Sequence, residues 1–375
     1  MGQIKQYHIW LLIISFISSC LGDNPSEIED NYAELKVLWK IDTNIIDYPY
    51  AQPLIIGDSV LVFTGEINIR ALSISDGKTK WKGEIDGENA LHTKALLYID
   101  NRIISAHKSK VLGWDGGIGE KILEINKEDQ VSVFSHGRNT VIDNGFSLIG
   151  DTLDAYAFDL SGKKRFKIDV DYGSLVLGYA NQKLYLGQTK TIHGALTLGK
   201  LRAFDSQTGD SLWTYKTKNG GFKKSIVLEN GILYASTFGN SPINEAVALD
   251  AETGEMIWRY ATDYIFTRNA AIGPHHYYVN TGGSLAALDK HTGWLKWREE
   301  WLGTASTKPV YLEGYVYFTD YSEIKVINDE TGEVVHREPT PDGTAIWHVA
   351  ASSDKVFAQT SRQLIAYQPW HLRED

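Results

Sequence analysis

The sequence predicts an all-β fold: an eight-bladed β-propeller of four-stranded antiparallel blades, closed by an N-terminal strand that completes the last blade. Three observations predict it. An eleven-residue phrase, Ala203-Phe204-Asp205-Ser206-Gln207-Thr208-Gly209-Asp210-Ser211-Leu212-Trp213, returns as Ala248-Leu249-Asp250, Thr253-Gly254, Trp258 and as Ala287-Leu288-Asp289, Thr292-Gly293, Trp297. A second ladder of turn-forming pairs runs through the chain one hairpin ahead of each phrase. Finally, the C-terminal unit lacks a fourth strand while the N-terminal end has one to spare.

Each position of the phrase has a physical task. Apolar residues end one strand, Asp and Thr hold a tight turn through side-chain to backbone hydrogen bonds, and Gly takes φ > 0. The Trp four residues past the glycine is placed to bury its ring against the neighbouring repeat, so Trp39, Trp81, Trp213, Trp258 and Trp297 are expected to be structural staples. Weaker copies run through Ala71, Gly77 and Trp81, through Gly113, Gly119 and Leu123, through Ala157, Gly162 and Phe166, and through Val326, Gly332 and His336. The turn glycines 77, 119, 162, 209, 254, 293 and 332 are 39 to 47 residues apart, which suits a four-stranded unit.

The preceding turns are Gly57-Asp58, Asp100-Asn101, Asn144-Gly145, Asn181-Gln182, Asn230-Gly231, Pro274-His275, Glu313-Gly314 and Ser353-Asp354. Eight first hairpins against seven phrases leave one staple strand missing. Val37-Leu38-Trp39-Lys40 supplies it, because it reads like Ser211-Leu212-Trp213-Thr214 with no phrase ahead of it. Pairing that strand with Leu364-Ile365-Ala366-Tyr367 would remove the open edges. Residues 35–371 are thus expected to form one ring, with 372–375 as a tail.

Residues 1–20 read as a lipoprotein signal peptide. Lys5 precedes an apolar run from Ile9, about 13 residues against the roughly 20 needed to span a bilayer. Ile17-Ser18-Ser19-Cys20 resembles a bacterial lipobox, which makes Cys20 the expected lipidation site and membrane anchor. It is the one cysteine in the chain, so an internal disulfide framework and any multi-cysteine metal site are excluded. Residues 21–34, with Asp23, Glu27, Glu29, Asp30 and Glu34, read as an acidic tether. Leu21 directly after the cysteine agrees with sorting to the outer membrane, with export to the cell surface as the alternative.

A net charge of −10 argues against nucleic acid as a partner. One region departs from it: between residues 188 and 224 Lys190, Lys200, Arg202, Lys216, Lys218, Lys223 and Lys224 stand against Asp205 and Asp210. Gln188 to Lys200 reads as the longest internal loop, so basic charge and long loops are expected on one face near blades four and five, a partner-binding surface. No metal site is expected: His275 and His276 are adjacent on a strand and point to opposite faces. No phosphate loop, zinc helix or nucleophile elbow is present.

The phrase resembles the tryptophan-docking repeat of quinoprotein dehydrogenases and of the PQQ-like propellers that bind no quinone. That resemblance implies the fold. Quinoprotein dehydrogenases also carry a vicinal disulfide, which a single cysteine cannot form, and large insertions, for which about 42 residues per blade leave no room. Signal peptide, lipobox, acidic tether and single ring together resemble the BamB family of the outer-membrane β-barrel assembly machine. This resemblance implies a non-catalytic, cofactor-free scaffold tethered to the outer membrane and facing the periplasm, with an envelope protein as partner. In that family a Leu-x-Leu-Arg-Gly segment makes a partner contact; Ser174-Leu175-Val176-Leu177-Gly178 corresponds but lacks the Arg. Leu175 and Leu177 are therefore either contact residues or core residues of an inner strand. The alternative function is a PQQ-type quinone-binding dehydrogenase or a small-molecule-binding propeller.

Overall fold

The computed structural model describes residues 34–43, 45, 52–64, 68–85, 96–99, 101–106, 110–126, 140–143, 146–150, 154–159, 164–169, 174–192, 196–218, 220–222, 226–237, 244–262, 270–280, 283–300, 307–341 and 343–373. Among them the strands form eight four-stranded antiparallel sheets. Seven are consecutive in sequence, at 54–84, 96–126, 140–169, 174–216, 226–262, 271–300 and 310–339. The eighth joins Ile346–Ala351, Val356–Thr360 and Gln363–Tyr367 to Val37–Asp42. First strands of neighbouring sheets lie side by side, Ser174–Ala180 beside Thr140–Asp143 and Ile226–Glu229, so they are the inner strands and the fourth strands lie outside.

The core lies between sheets rather than within one. Tyr234, Ala246, Ala248 and Trp258 of the fifth sheet pack on Ala270, Tyr277, Val279, Ala286 and Leu288 of the sixth or its approach. Alternation along each strand therefore supplies two apolar faces, one for each neighbour.

The phrase folds as its residue types dictate. The Asp205 carboxylate accepts the backbone N–H of Gln207 at 2.7 Å and of Thr208 at 2.9 Å. Asp250, Asp289 and Asn328 do the same in their turns. These bonds favour the charged form and hold the carboxyl of Asp205 below its ordinary pKa. A bulge follows the phrase alanine in the fourth, fifth and sixth sheets, and that small residue lies opposite the large ring: Ala203 pairs Trp213, Ala248 pairs Trp258, Ala287 pairs Trp297.

Each ring then crosses to the next sheet. Trp258 lies over Gly293, where φ is +75° and a Cβ would come within 2.6 Å of the indole, so only glycine meets both the turn and the ring. Trp39 lies on Gly77, Trp81 on Gly119, Phe166 on Gly209, Trp213 on Gly254 and Trp297 on Gly332. The five indoles also donate their N–H to the carbonyl three residues before the glycine: Ile74 at 2.8 Å, Gly116 at 3.0 Å, Ala251 at 3.1 Å, Lys290 at 2.9 Å and Asp329 at 2.6 Å.

A second aromatic residue takes part that the repeat phrase does not contain. Tyr185, Tyr234, Tyr278 and Tyr317 occupy one register on second strands, opposite Ala203, Ala248, Ala287 and Val326. Tyr185 and Tyr234 rest against their own sheet's Trp with ring centroids 6.0 Å apart. Their hydroxyls donate to the same carbonyls that the indoles use, Ala251 at 3.2 Å and Lys290 at 3.2 Å. Burial pushes the Tyr234 phenol up to about 12, so it stays a donor at any physiological pH.

The eighth sheet has no phrase, and the seam before it is built differently. Trp39 pairs with Ala366 and Asp42 with Gln363, so residues 37–42 form the outer strand. His336, at the staple position of the seventh sheet, stacks on Trp370 with centroids 4.8 Å apart. Trp370 belongs to a 3-10 turn, Trp370–Leu372; its N–H bonds the Tyr317 hydroxyl at 2.8 Å, and Arg373 lies 3.6 Å above its ring. The buried Glu338 accepts from His336 at 2.9 Å and from the Leu35 backbone at 2.7 Å. An aromatic turn from the C-terminal end thus replaces the glycine turn.

At one seam, Trp258→Ala should cost about 3–5 kcal/mol through the void it leaves. Gly293→Ala should cost about 1–3 kcal/mol through strain, and Tyr234→Phe about 1 kcal/mol through one lost hydrogen bond. Urea unfolding of the three variants should return that order; a Tyr234→Phe variant as damaged as Trp258→Ala would show that the ring adds nothing beyond the bond.

Candidate docking face

The lysines expected on a loop of blade four lie in strands. Gln188 to Lys200 is not a loop: Lys183–Ile192 and Leu196–Asp205 are ten-residue strands paired from Lys183–Asp205 out to Ile192–Leu196. Threonines and β-branched residues there (Thr189, Thr191, Ile192, Thr197) suit an extended ribbon, and only the three residues between the strands fall outside the described set. Lys190 pairs with Leu198 on this ribbon, and Lys200 pairs with Gln188 on one side and Lys216 on the other. Lys216 and Lys218 are exposed and Lys200 is half-buried. Lys223, Lys224 and Cys20 lie outside the described residues. Leu175 and Leu177 are on Ser174–Ala180, the first strand of the fourth sheet, with side chains outside what is described.

Directly opposed cations on adjacent strands repel. Lys200 and Lys216 are such a pair, and no salt bridge joins Lys216 to an acid among the described residues. The backbone beneath them is held firmly. The Thr217 hydroxyl bonds Gly199 N at 2.8 Å and donates to Gly220 O at 2.7 Å, and Phe222 N donates to Gln188 O at 3.3 Å.

Behind this edge, in the seam between the fourth and fifth sheets, lies Glu245, 3% exposed. Arg259 Nη1 is 3.5 Å from its carboxylate. Burial raises the Glu245 pKa above the ordinary 4.5, opposed by Arg259 and by the Lys218 backbone N–H. The same burial, with the Glu245 charge, pushes Tyr215 up to about 12. Nothing in the repeat pattern marks Glu245, because its position is held by Ser284 and Glu323 in the next two sheets.

Other buried ionisable groups are also paired. His276 Nδ1 is 2.7 Å from Asp329, which also accepts the Tyr278 hydroxyl at 2.6 Å, while His275 is exposed. Lys290 meets Glu229 at 2.7 Å, and Lys325 meets Asp320 at 3.3 Å and Glu299 at 3.4 Å. No group of three or more His, Cys, Asp or Glu side chains arranged to hold a metal occurs among the described residues.

Comparison with known proteins agrees with this architecture. The family model described as outer membrane protein assembly factor BamB matches residues 197–267 and 266–370. No curated protein matches the chain. BamB from Moraxella catarrhalis superposes with a TM-score of 0.70 at 14% identity, over 89% of this chain and 100% of that one. The computationally designed protein Ika8 gives 0.69 at 13% identity, over 89% and 99%. Quinohemoprotein alcohol dehydrogenase from Comamonas testosteroni gives 0.69 at 11% identity, over 89% and 76%. The class is that of β-propellers built from PQQ-like repeats. Within it, residues 197–370 are similar to the BamB family model. Identities this low carry the fold alone, and the fold is shared by an enzyme and a designed protein.

Glu245→Gln tests the electrostatics of the seam. A carboxyl whose pKa is raised by folding binds more protons folded than unfolded, so wild-type stability should fall as pH rises from 4.5 through the raised value. The Gln variant should lose that slope in a pH series of urea midpoints; an unchanged slope would assign it to other groups.

Proposed function

We propose that the chain is a non-catalytic, membrane-tethered protein-binding scaffold of the bacterial cell envelope, BamB-like in role. Its eight sheets are the blades of one ring closed by residues 37–42. A lipid on Cys20 and the acidic segment 21–34 tether it to the outer membrane on the periplasmic side. Lys190, Lys200, Lys216, Lys218, Lys223 and Lys224, with Leu175 and Leu177, mark the sheet that meets an envelope protein, the barrel-assembly complex being the named candidate. The observation that carries this reading is the pair of exposed lysines, Lys216 and Lys218, at the outer edge of the fourth sheet, which suits a partner of opposite charge. Two further points support it. The family model match spans the fourth to eighth sheets, and His276, Asp329, Lys290, Lys325 and Glu338 are engaged in holding seams.

A quinone-binding dehydrogenase is the second reading, favoured by the fold match to a quinohemoprotein alcohol dehydrogenase. Cross-linked affinity capture of the acylated protein from its own membranes separates the two. A barrel-assembly subunit should be recovered, and Cys20→Ser should move the protein to the soluble fraction. Uptake of pyrroloquinoline quinone with calcium, followed by alcohol-dependent dye reduction, would overturn the scaffold role.

A further inference from the structure

The central hairpin of the fourth sheet outgrows its sheet. Counting outward from the pair Tyr185–Ala203, its strands stay paired for seven more residue pairs, to Ile192–Leu196. Among the described residues, from the equivalent pairs Tyr234–Ala248 and Tyr278–Ala287 the fifth and sixth sheets continue for two, and from Tyr317–Val326 the seventh continues for three. The flanking strands do not follow the extension. The first strand ends opposite Thr189, with Ser174, and the fourth ends opposite Lys200, with Lys216. Gly199 O still accepts Thr217 N at 3.0 Å. Beyond that point the pairs Lys190–Leu198, Thr191–Thr197 and Ile192–Leu196 have no third strand among the described residues.

A two-stranded ribbon is marginal by itself in water, and each open edge is a row of unpaired backbone donors and acceptors. Both backbone groups of Gly199 face Thr217, so by alternation the Thr197 N–H and C=O also face the outer edge, in line with the exposed Lys216 and Lys218. Lysine also discourages promiscuous pairing at edges, which leaves an acidic strand as the one partner that both ladder and charge accept. Resting on the scaffold reading above, we propose that the outer edge of this ribbon is a docking site for an extended, acidic segment of a partner protein, added as a further strand at residues 196–198 with its carboxylates over Lys216 and Lys218.

The probe is a six-residue peptide of alternating valine and glutamate, offered to the full chain. Two control peptides accompany it, one with lysine for glutamate and one N-methylated at alternate backbone nitrogens, which cannot extend a sheet. The acidic peptide should slow amide hydrogen exchange at Thr197 and leave the loops of other sheets unchanged. Lys216→Glu with Lys218→Glu should weaken its affinity about tenfold while leaving the urea midpoint in place, since both side chains are exposed. Equal binding of the N-methylated peptide would reduce the effect to ion exchange and overturn the proposal, as would protection elsewhere or an affinity untouched by the double variant. If the double variant binds the peptide weakly yet still captures the barrel-assembly subunit from membranes, the ribbon is not the contact and the scaffold reading stands. If neither protein captures that subunit while the peptide result holds, the strand site stands and the assembly role falls.

Discussion

At five seams one backbone carbonyl bears the most on the architecture. At Ala251 and at Lys290 it accepts two hydrogen bonds from the preceding sheet, an indole N–H from the fourth strand and a phenol O–H from the second. Both donors are rings, so the polar contact and the apolar contact are made by the same atoms' neighbours, and neither can be satisfied unless two sheets reach the right spacing and angle. A buried carbonyl with both lone pairs used leaves no polar debt in a dry interface. The turn that presents it is itself fixed by an Asp carboxylate and a glycine with positive φ. Hairpin, bulge and inter-sheet contact thus depend on one another.

Where the pattern varies, chemistry compensates. At Asp329 the tyrosine reaches the carboxylate instead of the carbonyl, and His276 joins it, so a neutral two-bond contact becomes a charge-assisted cluster. The seam between the seventh and eighth sheets has no turn to receive a ring. There, His336 on Trp370 supplies the stacking, Tyr317 accepts from Trp370 N, and Glu338 draws in Leu35 from the other end of the fold. Residues 37–42 then carry Trp39 onto Gly77 of the first sheet, so both ends of the described fold are engaged in one sheet and its two neighbours.

Seams satisfied in this way leave function to what the repeat does not use. The extended hairpin of the fourth sheet and the opposed lysines beside it break the pattern, while Thr217, Gly199 and Phe222 hold their base in place. A binding edge mounted on a firm base loses little entropy when a partner arrives, the general advantage of preorganisation. Glu245 in the adjacent seam sets part of the local field, since its buried charge lies close to the Lys218 backbone and to Arg259.

The tryptophans, turn glycines and phrase aspartates were legible from residue types, because each acts within eleven residues and their spacing repeats. The tyrosines at 185, 234, 278 and 317 were equally periodic, yet a Tyr on a strand is ordinary, and only the next sheet's carbonyl distinguishes it. Lys190 and Lys200 were misplaced onto a loop because Gln188-Thr189-Lys190-Thr191 offers no apolar alternation to read. Local chemistry, then, determined the repeat, its turns and the sheet order, since these need only neighbours in the chain. Tertiary structure decided which carbonyl each ring meets, how far the fourth hairpin extends, and that Trp370 stands in for a missing turn, because those contacts join residues dozens to hundreds of positions apart.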